Sequence, residues 1–292
     1  MELTIIAPAG RIKRLVVPLR EAPTFPLAIL LLLVVTALLA PVLTPGSPTE
    51  QDLGKRLLPP AWVQGGSWDY LLGTDLFGRD IVSRVIYGAR ISLTISLTSI
   101  GIGAILGILV ALPAGYLGGM VDLLLMRAVD AALSIPTILI GIVLAVTLGP
   151  SYEAVIFVIV LFVWPRYARQ VRGETLAIKQ RDFIALAKIA GSSSARIIIF
   201  HILPNLVPTL LVLSSLQVGA AIIMEATLSF LGVGIPPPAP AWGVMVADGK
   251  DLVVSAWWVS LFPGIAILLT VLSLNLLGDW LRDRLDPKLR QV

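Results

Sequence analysis

Six stretches of this chain are apolar enough to lie in a lipid bilayer, which leaves few folds open to it. They cover roughly residues 25–43, 91–112, 128–148, 154–168, 205–231 and 259–281. A hydrocarbon core needs about 20 apolar residues per helix. The fourth stretch falls short of that and ends at Trp164–Pro165, so its inner boundary is soft. Backbone amides find no water inside lipid, so these stretches must be helices. The short alternating segments of a transmembrane barrel are absent. Of 292 residues 57% are hydrophobic and 14% charged, whereas a soluble domain carries about 25% charged residues. The expected fold is an all-α integral membrane protein with six transmembrane helices.

Flanking Lys and Arg predict the orientation, because basic residues collect on the cytoplasmic side. With the N-terminus inside, the inner segments hold Arg11, Lys13, Arg14 and Arg20, then Arg127. Arg166, Arg169, Arg172, Lys179, Arg181, Lys188 and Arg196 follow, and Arg282, Arg284, Lys288 and Arg290 close the chain. The outer segments hold Lys55, Arg56, Arg79, Arg84, Arg90 and Lys250. Both termini are expected to be cytoplasmic. The basic start, the apolar run and "TALLA" before Pro41 also resemble a secretory signal peptide, although the run of about 18 residues exceeds the usual 7–15. The expected organisation is 1–90 for the N-terminal segment, first span and external loop, 91–285 for a five-span core, and 286–292 for a cytoplasmic tail.

Several chemistries are excluded. There is no cysteine for a thiol nucleophile or disulfide, and one histidine, His201, cannot build a multi-histidine metal site. The net charge of +4 does not indicate nucleic acid, because the basic residues lie beside apolar segments. No GxxxxGK[ST], HExxH or GxSxG occurs. Uphill transport would therefore need a partner or an ion gradient.

Gly103 and Gly107, then Gly115 and Gly119, have the four-residue spacing that lets helices approach closely, here read as packing within the chain. In "LLGTDLFGRDIVSRVIYGARISL", 71–93, Asp75 is expected to cap a short interfacial helix and Asp80 to pair with Arg84 four residues on. Pro236, Pro237, Pro238 and Pro240 argue against helix in 232–258. Trp242, Trp257 and Trp258 suit a membrane interface. Glu225, near the outer end of span five, and Asn275 are candidate pathway residues; structural hydrogen bonding is the alternative for Glu225. Asp279 is expected to form a surface pair beside Arg282.

The stretch "FIALAKIAGSSSARIIIFHILPN", 183–205, is a half-polar interruption between two spans. Phe183, Ile184, Ala187 and Ala190 share a helical face. Asp182 is positioned to cap the first helix, Gly191 to end it in the left-handed region, Ser194 to cap a second helix, and Pro204 to kink that helix toward span five. Ala185, Ala187, Ala190 and Gly191 permit close approach of another protein. The alternative is a hairpin lying on the membrane.

This segment resembles the cytoplasmic "EAA" loop of ABC importer permeases. Gly191 follows Ala187 by four, and His201, Leu203 and Pro204 stand in the "HILPN" form seen in the dipeptide and oligopeptide branch. Ala185-Leu186-Ala187 replaces Glu-Ala-Ala, so the usual carboxylate is missing. "GTDLFGRDIVSRVIYGARISL", "DLLLMRAVDAALSIP", "EATLSFLGVGIPPPAPAWG" and "LSLNLLGDWLRDRLDPKLR" are similar to the second permease subunit of dipeptide, oligopeptide and nickel importers. The resemblance implies a type I importer permease in a bacterial inner membrane, contributing half of a transport pathway. It implies a DppB/OppB-like second permease, an external solute-binding protein, and two ATPases that hold ATP and Mg while this chain binds no cofactor. The coupling loop would lie within 169–204 and include Phe183, Ala185, Ala187, Gly191, Ser192, His201, Leu203 and Pro204. An ion-driven carrier, the rival reading, would need membrane-centre charges and usually an internal repeat, neither of which is seen. An intramembrane hydrolase lacks a catalytic constellation.

Overall fold

A computed structural model describes residues 23–44 and 46–285. Arg11, Lys13, Arg14, Arg20, Lys288, Arg290 and the 286–292 tail lie outside them. In chain order the helices are α1 (Thr24–Leu43), α2 (Ile81–Leu117), α3 (Gly119–Ser134), α4 (Thr137–Leu148), α5 (Tyr152–Lys179), α6 (Asp182–Ile189), α7 (Ser194–Ile197), α8 (Leu203–Phe230), α9 (Trp242–Gly249) and α10 (Trp258–Leu285). A π turn, Ile198–Ile202, joins α7 to α8. Five helical runs are long and apolar enough to cross a membrane, and the bent pair α3–α4 brings the spans to six among the described residues.

Three spans differ from the sequence reading. Helix α2 has 37 residues, about 55 Å at 1.5 Å per residue, well beyond the ~30 Å of hydrocarbon. The expected interfacial helix is simply its first turns. The third span breaks by 72°, because Ile135, extended at φ −91° and ψ 123°, precedes Pro136. Helix α5 passes through Pro165 and continues to Lys179. Its later turns stay helical because Tyr167, Ala168, Val171 and Ile178 bury against the bundle. Residues 169–179, expected in the loop, therefore belong to a helix.

Helix α2 is the central post and packs most extensively on α5. A Cβ on Gly103 would come within 2.8 Å of the Val163 side chain, and one on Gly107 within 2.7 Å of the Trp164 carbonyl oxygen. The close-packed seam is thus internal to the chain. Gly119 is not part of it. With φ +57° it helps turn the chain from α2 into α3.

Apolar clusters succeed one another along the bundle. Tyr116, Val171, Ile178, Ile184, Ile197, Ile202 and Leu206 gather where α2 and α5 end. Val158, Ile159, Val163, Ile222 and Leu228 fill the middle. Leu33, Ile81, Trp242, Met245 and Trp258 close the opposite end. Gly46 N–H donates to Ser83 Oγ at 3.3 Å, placing the end of α1 beside the start of α2. Antiparallel crossings then put the start of α1, the end of α10 and the 180–202 hairpin at one end of the bundle. We call this the hairpin end.

The opposite end is pinned by side chains rather than by helices alone. Asp80, not Asp75, caps a helix: its carboxylate accepts from Val82 N–H, Ser83 N–H and Ser83 Oγ–H. Asp75 lies in a loop and accepts from Phe77 N–H and Arg79 N–H. Arg84 does not pair with Asp80. Its Nε lies 3.4 Å from Asp75 and Nη2 3.8 Å from Asp248, while Arg79 reaches the same carboxylates at 2.6 and 3.3 Å. Trp242 Nε1–H donates to Val85 O at 2.9 Å, and Trp258 Nε1–H to Thr74 O at 3.1 Å. Both indoles are buried pins, not interfacial anchors. The proline run is non-helical as expected, but α9 and a short 3-10 turn, Lys250–Leu252, form within 232–258. Asp279 and Arg282 are both exposed, and no ion pair joins them among the described residues.

Candidate functional site

The hairpin begins as α5 ends. Arg181, extended at φ −78° and ψ 148°, occupies the N-cap of α6 without a side-chain cap, and Asp182 falls one position inside. There its charge still favours the positive end of the helix dipole, as Lys188 does the negative end. Ala190 is the C-cap and Gly191 follows at φ +77°. Gly191 N–H donates to Lys188 O and Ser192 N–H to Ala187 O, each at 3.0 Å. These paired bonds form a Schellman turn, and its left-handed residue is glycine for lack of a Cβ. Ser193, rather than Ser194, caps α7 by accepting from Arg196 N–H.

Pro204 does not kink the chain off a separate helix. Lacking an N–H, and with a ring that crowds the carbonyl four residues back, it would strain an ordinary turn. The preceding turn widens instead: Leu203 N–H donates to Ile198 O, five residues back. Residues Ser194–Phe230 thereby act as one long apolar element. His201 sits half-buried on the π turn, and its carbonyl accepts from Asn205 Nδ2–H.

Of the small residues expected to admit a partner, Ala185, Ala190 and Gly191 are exposed and Ala187 is half-buried, while the regular apolar stripe points inward. Ile184 is fully buried, and Phe183, Ala187 and Leu203 pack half-buried against the cluster of Tyr116, Ile178 and Ile202. The reason is periodicity: the stripe most regular in the sequence is the one that covers the bundle. The outward face carries Ala185, Leu186 (65% exposed), Ile189 (83%), Ile199 (52%) and Phe200 (68%), with Gly191 and Pro204 also exposed and Ser192 half-buried. Sequence reasoning passed over the four large residues because they interrupt the regular stripe. Their apolar character beside a glycine turn was the available signal. The hairpin is held basic and close to the bundle by Lys179 Nζ and Lys188 Nζ, 5.8 and 5.6 Å from the Tyr116 ring. Just above it, Arg172 grips Asp122 through Nε at 2.6 Å and Nη2 at 2.5 Å, tying α5 to α3.

Glu225 lies between α8 and α2, fully buried rather than reachable by water near the outer end of its span. It accepts from Ser229 Oγ–H at 2.8 Å and Ser92 Oγ–H at 3.3 Å. Asn275 is exposed on α10. Glu225 and Asn275 are thus not brought together with the hairpin. At the opposite end, burial pushes the Asp248 carboxyl above the usual carboxylate range, while Arg84 and Arg79 pull it down. No group of three or more His, Cys, Asp or Glu that could hold a metal occurs among the described residues.

Residues 103–291 match the family model described as "Binding-protein-dependent transport system inner membrane component", and residues 25–60 match that of the N-terminal TM domain of oligopeptide transport permease C. The chain is 45% identical over 264 residues to a putative peptide transport system permease protein of Brucella suis, covering 90% of this chain and 87% of that one. A di/tripeptide transport system permease protein of Pseudomonas aeruginosa is 42% identical, with 91% and 88% covered. The dipeptide transport system permease protein of Escherichia coli is 43% identical, with 87% and 85% covered.

Proposed function

Since the chain belongs to the binding-protein-dependent transport system inner membrane components, the permeases of ABC importers, we propose that it forms half of a peptide-conducting pathway. In this reading its hairpin end faces the cytoplasm, in accord with the basic residues gathered there. The cargo is a dipeptide or short oligopeptide, a reading supported by what the relatives' names say those proteins carry. A DppB/OppB-like permease completes the pathway, an external binding protein delivers the peptide, and two ATPases supply ATP and Mg. This chain itself binds no nucleotide.

The observation that carries the reading is the outward apolar face of the hairpin. Leu186, Ile189, Ile199 and Phe200 are exposed in this chain, yet they sit on an element tied covalently and by packing to α5 and α8. An ATPase groove covering that face would gain about 25 cal/mol for each Å² of apolar surface removed from water. Closure of the two ATPases would then move α6, and the long Ser194–Phe230 element would carry the movement into the bundle. The segment's lack of the Glu-Ala-Ala carboxylate makes the contact one of shape and apolar burial.

The chain has no native cysteine, so introduced cysteines test the reading directly. Ser193→Cys should resist an impermeant thiol reagent in intact cells, and Ser67→Cys should label. Leu186→Cys should crosslink to an ATPase subunit with a yield that changes on adding ATP. Uptake of a dipeptide by the reconstituted importer should require ATP and persist without a proton or sodium gradient. Labelling of Ser193→Cys from outside, or gradient-driven uptake, would overturn the reading.

A further inference from the structure

Not every tryptophan at the end opposite the hairpin is buried. Trp62 is 57% exposed and Trp68 81%. Both stand in a lobe closed by the bond from Ala61 N–H to Leu71 O at 3.1 Å, and residues 57–68 carry no charge. Open indoles on an uncharged segment gain when another apolar surface covers them. Trp62 is also fixed in place. Its ring meets Phe262 of α10 edge to face, with centroids 6.2 Å apart. Phe262 in turn packs against the cluster that holds Leu33 and Ala37 of α1.

The depth of that contact follows from α1. Its 20 residues span about 30 Å, the thickness of the hydrocarbon, so Leu43 marks one edge of the acyl layer. Only one stripe of α1, Pro26, Leu33, Ala37 and Ala40, is buried. The remaining faces are apolar and uncharged, as on a helix surrounded by lipid. Gly46, just beyond Leu43, donates to Ser83 Oγ at 3.3 Å and so puts the first turn of α2 at that edge. Ser83 shares the Asp80 carboxylate, Asp80 bridges to Thr74, and Thr74 O accepts from Trp258 Nε1–H at 3.1 Å. Phe262 lies one turn of α10 further in, about 6 Å deeper. Trp62 therefore stands where acyl chains meet headgroups, on the side of the bundle where α1 faces lipid.

We propose that the 61–71 lobe is a lipid-binding element, seated by Trp62 in the headgroup layer of a phospholipid leaflet. The indole buries its ring against acyl chains and offers its N–H to an ester carbonyl or phosphate oxygen, the division of labour that places tryptophan at membrane interfaces. The seat is coupled to the buried charges. Leu58 N–H donates to Thr74 Oγ1 at 2.8 Å and Leu57 N–H to Asp75 O at 3.1 Å, so the lipid contact sets the height of the Asp75 network in the bilayer. The inference makes no use of the cargo and stands apart from the peptide reading.

The chain has no cysteine, so Trp62→Cys can carry a single nitroxide in an importer whose other chains are made cysteine-free. In phosphatidylcholine nanodiscs, without the external binding protein, the label should collide with oxygen more often than with a water-soluble nickel chelate. The ratio should place it about 5–10 Å below the headgroup surface, where interfacial apolar faces rest. Because this variant removes the ring, a second measurement keeps it. In nanodiscs of dibrominated phosphatidylcholine, the unaltered importer should lose more tryptophan emission than its Trp62→Tyr variant, by the share of one quenched indole. Nickel collisions as frequent as those of oxygen would place the lobe in water, and their loss on adding the binding protein would assign it to that protein. Exclusion of both reagents would place it against the second permease. Each of these results, or equal quenching in the two proteins, would overturn the proposal.

Discussion

At the end of the bundle built from residues 46–80 and 232–257, one set of charged and aromatic side chains turns inward, beside the exposed Trp62, Trp68 and Val254. Asp75, Arg79, Arg84 and Asp248 form a mostly buried network, and Trp242 and Trp258 anchor backbone carbonyls. At the hairpin end the arrangement is reversed: large apolar residues turn outward, and the segment is shaped by one glycine turn and one π turn. Buried, hydrogen-bonded charges are geometrically demanding and hold loops in one place. Exposed Leu, Ile and Phe hold nothing by themselves and gain only when another surface covers them. One end holds a charged network closed within the chain, and the other leaves the outward face of the hairpin open.

The sharpest way to break this comparison is the pair Leu186→Glu and Ile189→Glu. Docking would have to desolvate two carboxylates at several kcal/mol each, so the ATPases should be lost from the purified complex. Both positions are exposed, so the thermal midpoint of the permease pair should hardly change. Retained ATPases and intact transport would mean that the hairpin lies on lipid.

Asp75→Asn should give the mirror result. It keeps the shape and an acceptor for the Phe77 and Arg79 amides, but leaves two buried guanidiniums sharing only Asp248. Removing one partner of such a network costs about 3–5 kcal/mol. Thermal unfolding in detergent should drop clearly while the ATPases remain bound at low temperature. An unchanged midpoint would show that the network does not hold this end.

The smallest effect is expected for Gly191→Val. A Cβ there meets nothing within 4 Å, so the cost is the left-handed backbone alone, on the order of 1–2 kcal/mol. Membrane insertion should survive, and ATP hydrolysed per peptide transported should rise. Tight coupling in this variant would show that the turn need not be rigid to transmit force.

Gly191 was legible because a turn of this kind is decided within six residues, and the Ser192-to-Ala187 bond needs nothing from elsewhere. The caps were legible only to within one position: Ser193 for Ser194, Arg181 for Asp182. Adjacent polar residues offer nearly equal local bonds, and packing chooses between them. The pairing of Arg79 with Asp248 joins residues 169 apart in the chain, and no local pattern announces it. A sequence-local rule assigned Arg84 to Asp80 instead. In the hairpin, periodicity identified an apolar stripe but not which surface it would cover.

The chain alone therefore determined what lipid enforces: six apolar crossings made of helix, since unpaired backbone amides are too costly in hydrocarbon, and the places where proline and glycine interrupt them. It also carried the motifs that betray its family. Tertiary structure alone decided which face of each helix turned inward, that α2 and α5 run far past the apolar core, and which buried charges found each other. Those outcomes depend on surfaces meeting across long stretches of chain. Burial and charge pairing are properties of the meeting, not of either segment.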